Sequence, residues 1–380
     1  MGATGRPHAL TESVMRLPLW PMFVLLLLAG MPPGARAAAA APAPFEHVFI
    51  IVLENQLYDT TFGAASAAPY LAHELPAKGA LLRQYYAIGH LSLGNYIALI
   101  SGQAPNKATQ HDCTVFSEFV ASGPLDAAGQ LPGEGCVYPP QVRTVADQLT
   151  AAGRSWKGYM EDMGKDPRRE AASCAHAKIG SEDPTRRATA RDQYAAKHNP
   201  FVYFHSIIDD RARCQRHVVN LKVLDRDLRQ LATTPNYSFI APNLCHDGHD
   251  APCKNGEPGG LVSVDHFLRQ WIPRIMASAA YRRGGLIIIT FDEATMADTS
   301  GCCAARPLPG GPPPGIDGPG GGRIGAVLLS PRIKPGTVSD VPYNHYALLR
   351  WVEDNFGLDH LGYAGADGLA GFGADVFGPH

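Results

Sequence analysis

The 380 residues are 45% hydrophobic, enough to bury one substantial core with at most a small subdomain. Lysine and arginine total 33 against 35 aspartates and glutamates. Without residues 1–37, which hold three arginines and one glutamate, 30 basic and 34 acidic side chains remain. That balance excludes a basic field for nucleic acid and a polybasic membrane patch.

Arg16 precedes an apolar run from Leu17 to Ala29, and Ala35-Arg36-Ala37 reads as a small-residue cleavage site. The run is shorter than the roughly 20 residues of a membrane-spanning helix. The expectation is an export signal over 1–37, an Ala/Pro-rich flexible lead-in over 38–44 and a single domain over 45–380. Such a protein is secreted or periplasmic, with no stable membrane anchor; an uncleaved anchor is the alternative. Met15 is a second candidate start. Eight cysteines without a C-x-x-C pair fit that compartment as disulfides rather than as a zinc site. Proximity in sequence pairs Cys113 with Cys136 and Cys245 with Cys253. The adjacent Cys302 and Cys303 are expected to bond elsewhere or stay free.

In chain order, Val48 to Leu53 is a continuous apolar run, as in a buried parallel strand, and it ends in Glu54-Asn55. Leu81 to Ile88 reads as a strand and runs into His90-Leu91-Ser92. From there Leu93, Tyr96, Ile97 and Ile100 recur at helical spacing up to Gly102. The region 103–230 is loop-rich and holds four of the cysteines. Within it, 144–152 reads as a helix and 155–160 as a strand ending in Glu161-Asp162. Tyr237 to Ala241 is a further strand, leading to the Asn243 to Asp250 loop. Val264 to Tyr281 is an amphipathic helix that Pro273 should kink or divide. Leu286 to Thr290 is the plainest buried strand, followed by Phe291-Asp292-Glu293. Residues 301–322, dominated by Gly and Pro, read as a mobile surface loop. Ala326 to Ser330 is a strand, and a helix from Tyr346 to Phe356 follows Asn344-His345. Strands alternating with helices predict an α/β domain with a mostly parallel central sheet flanked by helices.

Ser92 stands where a strand turns into a helix. There a hydroxyl faces the free N–H groups of the first turn, the geometry a serine nucleophile needs against a phosphate. Serine is equally a preferred N-cap, so this stretch alone leaves both readings open. Glu54-Asn55 and Asp292-Glu293 each suit a turn or a solvated helix start. In a parallel sheet, however, the carboxyl ends of all strands converge on one edge. Carboxylates and an amide from two strands then make a hard, oxygen-rich metal site. Histidines around it are placed to hold phosphoryl oxygens or to protonate a leaving oxygen.

The segments His47 to Asn55, His90 to Gly102 and Ile289 to Glu293 resemble those of the bacterial and fungal secreted acid phosphatases. That family lies in the alkaline phosphatase superfamily and also contains phospholipases C. Lys197-His198-Asn199-Pro200-Phe201, the 243–250 loop and Tyr343 to Arg350 are similar as well, in the same order, over about 45–363. The resemblance implies an alkaline-phosphatase-like catalytic domain with a loop-rich, disulfide-bearing insertion. It also implies a phosphomonoesterase working through a phosphoserine at Ser92. Asn95 matches an asparagine that holds a phosphoryl oxygen. Glu54, Asn55, Asp292 and Glu293 match ligands of a divalent cation, with calcium, magnesium, manganese and zinc all open. His90, Asp247, His249 and His345 match residues around the phosphate, one histidine protonating the leaving group. Leu91 and Gly94 stand where the family carries proline, which predicts a looser turn.

The partners so implied are phosphate-ester small molecules or phospholipid head groups, phosphoinositides among them. The alternatives are a phospholipase C acting on head-group diesters and a non-catalytic secreted binding protein on the same scaffold. The 301–322 stretch is expected to be surface slack rather than a lid.

Overall fold

The computed structural model describes Gly2 and residues 44–303 and 305–378. Apart from Gly2, the expected export signal lies outside the described residues, as does all of the lead-in but Pro44. From Pro44 onward the chain is one unit. Its centre is β1, Val48–Leu53, six apolar residues that are all buried. Seven more strands join it in one sheet: β2 Ala80–Leu82, β3 Trp156–Met160, β4 Val218–Asn220, β5 Tyr237–Ala241, β6 Leu286–Phe291, β7 Ala326–Leu329 and β8 Thr337–Ser339. The order across the sheet is β8-β2-β7-β6-β1-β5-β3-β4. Only β7 runs against its neighbours β6 and β2; the other pairings are parallel. The mixed, mostly parallel sheet expected from the sequence is therefore present.

The β1–β6 register pairs Leu53 with Phe291, so the next residue on each strand, Glu54 and Asp292, emerges side by side. Continuous apolar runs suit these strands because both sheet faces are covered. The covering helices are α1 Ser92–Ser101, α2 Val145–Ala151, α3 Gly260–Ala277 and α4 His345–Phe356. Thr144 and Asp147 close a reciprocal capping box at α2, and Asn344 caps α4 through the Ala347 N–H. Gly102 ends α1 at φ 68°, a conformation glycine adopts without cost.

Several expectations are corrected. Pro273 does not divide α3, which runs unbroken through it; the break comes at Ser278, which caps a short following turn. The single strand expected over 81–88 is two pieces, β2 and Tyr85–Tyr86, the latter paired in parallel with Tyr343–Asn344. The 301–322 stretch is packed rather than slack. Leu308 is buried, Gln110 Nε2 donates to the Pro313 and Pro314 carbonyls, and the Pro314 carbonyl also accepts from His90 N–H. Four disulfides use all eight cysteines. The expected Cys113–Cys136 and Cys245–Cys253 are joined by Cys174–Cys214 and, contrary to expectation, by Cys302–Cys303.

One buried acid on α4 sets a pH dependence of stability. Burial raises Glu353 from its ordinary 4.5 to about 9, although its Oε1 accepts the Leu361 N–H. The folded state then keeps a proton that the unfolded chain releases above about pH 4.5, so stability falls as pH rises through that window. Glu353→Gln is expected to remove this slope, raising the urea midpoint more at pH 8 than at pH 5. An equal shift at both pH values would contradict the assignment.

Candidate active site

The site forms where the carboxyl ends of β1, β5 and β6 meet the N-terminus of α1. Ser92 is the first residue of α1 and is almost wholly buried. Its hydroxyl does not cap the helix: Oγ donates to Glu54 Oε2 at 2.9 Å and accepts from Lys197 Nζ at 3.3 Å. Carboxylates take the capping work instead. Leu93 N–H donates to Asp112 Oδ1, and Leu91 N–H to Glu293 Oε2. Asp112 Oδ2 in turn pairs with Lys197 Nζ at 3.1 Å, so one carboxylate ties the helix start to the lysine.

Leu91 enters α1 at φ 68°, a conformation that costs a non-glycine residue about 1–2 kcal/mol and that proline cannot adopt. A Cβ on Gly94 would lie 3.0 Å from Pro105, so the glycine permits close packing there.

Asn95 is brought to this turn but faces away from the carboxylates. Its Oδ1 accepts from the Ile88 and Gly89 N–H groups and its Nδ2 donates to the Gly89 carbonyl. These three bonds clamp the loop carrying Ser92. Asn95→Ala should cost about 2–4 kcal/mol, because it leaves two buried N–H groups unpaired. Urea denaturation would measure this, and a purely kinetic defect at unchanged stability would contradict the clamp.

Glu54 is fully buried beneath Ser92. Burial opposes its charge, but His198, Lys197 and His249 outweigh burial and hold it well below the usual carboxylate range. His198 bridges two acids, with Nε2 2.9 Å from Glu54 Oε1 and Nδ1 3.1 Å from Asp247 Oδ2. Its ring stacks on Tyr96 with centroids 5.1 Å apart. Burial lowers its affinity for a proton, yet the flanking carboxylates push it up to about 9, so it is an imidazolium at neutral pH.

Asp292 lies against Glu54, and burial together with that neighbouring charge pushes it well above the usual range. Asp292 Oδ1 accepts from the Asn55 and Glu293 N–H groups. Asn55 Nδ2 donates to Glu54 Oε2. Glu293, raised to about 7 by burial, pairs through Oε2 with His90 Nδ1 at 2.7 Å.

His249 stands at the mouth, with Nε2 3.4 Å from Lys197 Nζ and Nδ1 2.9 Å from Asp250 Oδ1; its side chain is 31% exposed. Asp247 holds the His249 N–H through Oδ1. His90 and His345 each hold protein groups through both ring nitrogens. The second ring nitrogen of His90 meets the Asp298 carbonyl at 3.0 Å. His345 lies between the Tyr85 hydroxyl and the Asp292 carbonyl, at 3.1 and 2.6 Å, and burial pushes it down to about 4.

The donor set is of the oxygen-rich kind that a hard divalent cation takes. Asp292 Oδ2 is a buried oxygen without a hydrogen-bond partner, Glu54 Oε1 and Asp247 Oδ2 meet only the His198 ring, and Asp292 lies against Glu54. Buried, opposed carboxylates call for a compensating positive charge. All the side-chain donors of Glu54, Asn55, Asp292 and Glu293 except one amide nitrogen are oxygens. Lys197, His198 and Asp112 are site residues that the sequence reading did not single out. The Lys197-His198 motif carries a family similarity in the sequence but no role. Asp112, in the left-handed region at φ 51°, carried no local signal.

The model of the Phosphoesterase family matches residues 66–359. A phosphate-repressible acid phosphatase of Penicillium chrysogenum is 26% identical over 336 residues, covering 87% of this chain and 65% of that protein. The chain thus spans less than two thirds of that relative's length. The phosphatidylinositol-3-phosphatase of Mycobacterium tuberculosis is 26% identical over 335 residues, covering 88% of this chain and 85% of that protein. Among solved structures, a protein in the alkaline phosphatase superfamily from Vibrio parahaemolyticus aligns at 13% identity and a TM-score of 0.46, covering 84% of this chain and 68% of that one.

Proposed function

Because the chain belongs to the phosphoesterase family, we propose that it is a secreted, metal-dependent acid phosphatase that hydrolyses phosphate monoesters through a phosphoserine at Ser92. The observation that carries this reading is the Ser92 hydroxyl held between Glu54 Oε2 and Lys197 Nζ at a helix N-terminus. Glu54 Oε2 holds the hydroxyl proton, and the Lys197 ammonium stabilises negative charge developing on Oγ as it bonds to phosphorus. Asp112 fixes that ammonium and the first turn of α1 together. The positive end of the α1 dipole favours the incoming phosphoryl charge. His249, the partly exposed imidazole at the mouth, is the group placed to protonate the departing alkoxide. It is also placed to take a proton from the water that later cleaves the phosphoserine.

Glu54, Asn55, Asp292 and Glu293 would hold a divalent cation. Bound there, it supplies positive charge for the phosphoryl oxygens and lowers the serine pKa. Asn95, His90 and His345 position these groups. Phosphoinositides are the substrate class we favour within this reading, supported by the name of the mycobacterial relative, of which the alignment covers 85%. Export is consistent with four disulfides, and no helix among the described residues is long and apolar enough to cross a membrane.

The test compares para-nitrophenyl phosphate with its diester and phosphocholine analogues, and phosphatidylinositol 3-phosphate with phosphatidylinositol, over about pH 4 to 9. Monoester preference with an acidic optimum supports the proposal. Preferred diester or phosphocholine cleavage would move the protein to the phospholipase C reading.

A further inference from the structure

We propose that Cys302–Cys303 is a reducible switch, opened by a dithiol, that loosens the support beneath the candidate active site. The inference rests on the site reading given above. Its first ground is access. The six cysteines of the other disulfides are buried, whereas Cys302 and Cys303 are half-buried. A solution dithiol therefore reaches this bond first.

The second ground is what the pair holds. The Cys302 and Cys303 carbonyls both accept from Asn344 Nδ2, at 3.0 and 3.2 Å. The same Asn344 side chain caps α4 through Oδ1 and the Ala347 N–H at 3.0 Å. The first residue of α4 is His345, whose Nε2 meets the Asp292 carbonyl. Three links thus join the disulfide to the end of β6. A second route runs through Tyr343, whose carbonyl lies 3.3 Å from Cys302 Sγ and whose backbone pairs with Tyr85, the hydroxyl partner of His345. The same segment reaches Ser92 from the other side, where the Asp298 and Pro314 carbonyls meet His90.

In the switching step a thiolate of the dithiol attacks one of the two sulfurs. The Sγ–Sγ bond breaks, and the other cysteine leaves as a thiolate and is protonated. The second thiol of the reagent then displaces the first cysteine, so the dithiol becomes a disulfide and the protein gains two electrons and two protons. The bond between the sulfurs closes a ring that includes the Cys302–Cys303 peptide. Opening it lets that peptide, and with it the Cys302 carbonyl that holds Asn344, turn. The Cys302 thiol can then donate to the Tyr343 carbonyl, which a disulfide sulfur cannot do.

The test treats the folded protein with limiting dithiothreitol, alkylates it and maps the labelled peptides. Amide hydrogen exchange of 343–349 and para-nitrophenyl phosphate turnover are then read on the same sample. We expect two labels on the peptide carrying 302–303 before any elsewhere, faster exchange over 343–349, and turnover lower by on the order of tenfold, the range for partners that orient ligand residues. Reoxidation should restore both. Cys302→Ser/Cys303→Ser should match the reduced protein and ignore the dithiol. Labelling of a buried pair first, or unchanged exchange over 343–349 with 302–303 fully reduced, would overturn the switch. If the untreated protein turns over no phosphate ester, the phosphatase reading fails, and the exchange measurement alone decides this one.

Discussion

Ser92→Ala is expected to lower phosphomonoester turnover by on the order of 10³-fold or more while the protein stays folded, the loss typical of removing a nucleophile from a group that acts as a unit. The hydroxyl makes two polar contacts, with Glu54 and Lys197. Both partners keep others: Glu54 faces His198 and Asn55, and Lys197 faces Asp112. Removing one small oxygen therefore leaves no newly isolated charge, and the thermal midpoint should move little. Had Ser92 been a helix cap, alanine would cost stability, typically about 1 kcal/mol, and spare activity. Steady-state turnover and a denaturation midpoint on the same variant separate the two cases.

Removing the cation, or the carboxylate best placed to take it, should have the next largest effect. Chelation is expected to lower turnover by on the order of 10²-fold or more, since charge stabilisation by a bound metal contributes several kcal/mol. Readdition of magnesium, manganese, calcium and zinc in turn should restore it with at least one ion. Asp292→Asn probes the same point from the protein side. The amide keeps an oxygen for the Asn55 and Glu293 N–H groups and presents an N–H toward Glu54 where the protonated carboxyl presents its O–H, so the fold loses nothing. Without added metal the variant should be at least as stable as the parent, yet as inactive as the chelated protein. An Asp292→Asn protein with the parent's metal-stimulated turnover would remove Asp292 from the ligand set.

The fold was legible where one local rule decides. Val48–Leu53 and Leu286–Phe291 are apolar but for Thr290 and wholly buried because both faces of the sheet are covered, and their polar ends mark the edge at which Glu54 and Asp292 meet. Pro273 does not divide its helix, where nine buried residues of amphipathic packing outweigh one lost hydrogen bond. Residue types also pointed to the right neighbourhood without giving orientation. His90, Asn95 and His345 all reach the site, and each is hydrogen-bonded to protein groups there, an orientation only side-chain direction reveals. Asp112 and His198 were missed because neither sits at a strand end. Asp112 lies nineteen residues beyond Leu93, whose N–H it accepts, and His198 arrives on a short turn from the loop-rich region. The vicinal disulfide escaped because adjacency looked like an obstacle to pairing.

The central claim is the covalent intermediate. The most direct measurement mixes the protein with a good monoester substrate, quenches in acid within the first turnovers and maps phosphorylated peptides by mass spectrometry. The account predicts one phosphoryl group, on Ser92, absent from Ser92→Ala and absent when the quench follows complete substrate consumption. Rapid turnover with no label at Ser92, or activity that survives Ser92→Ala, would contradict it.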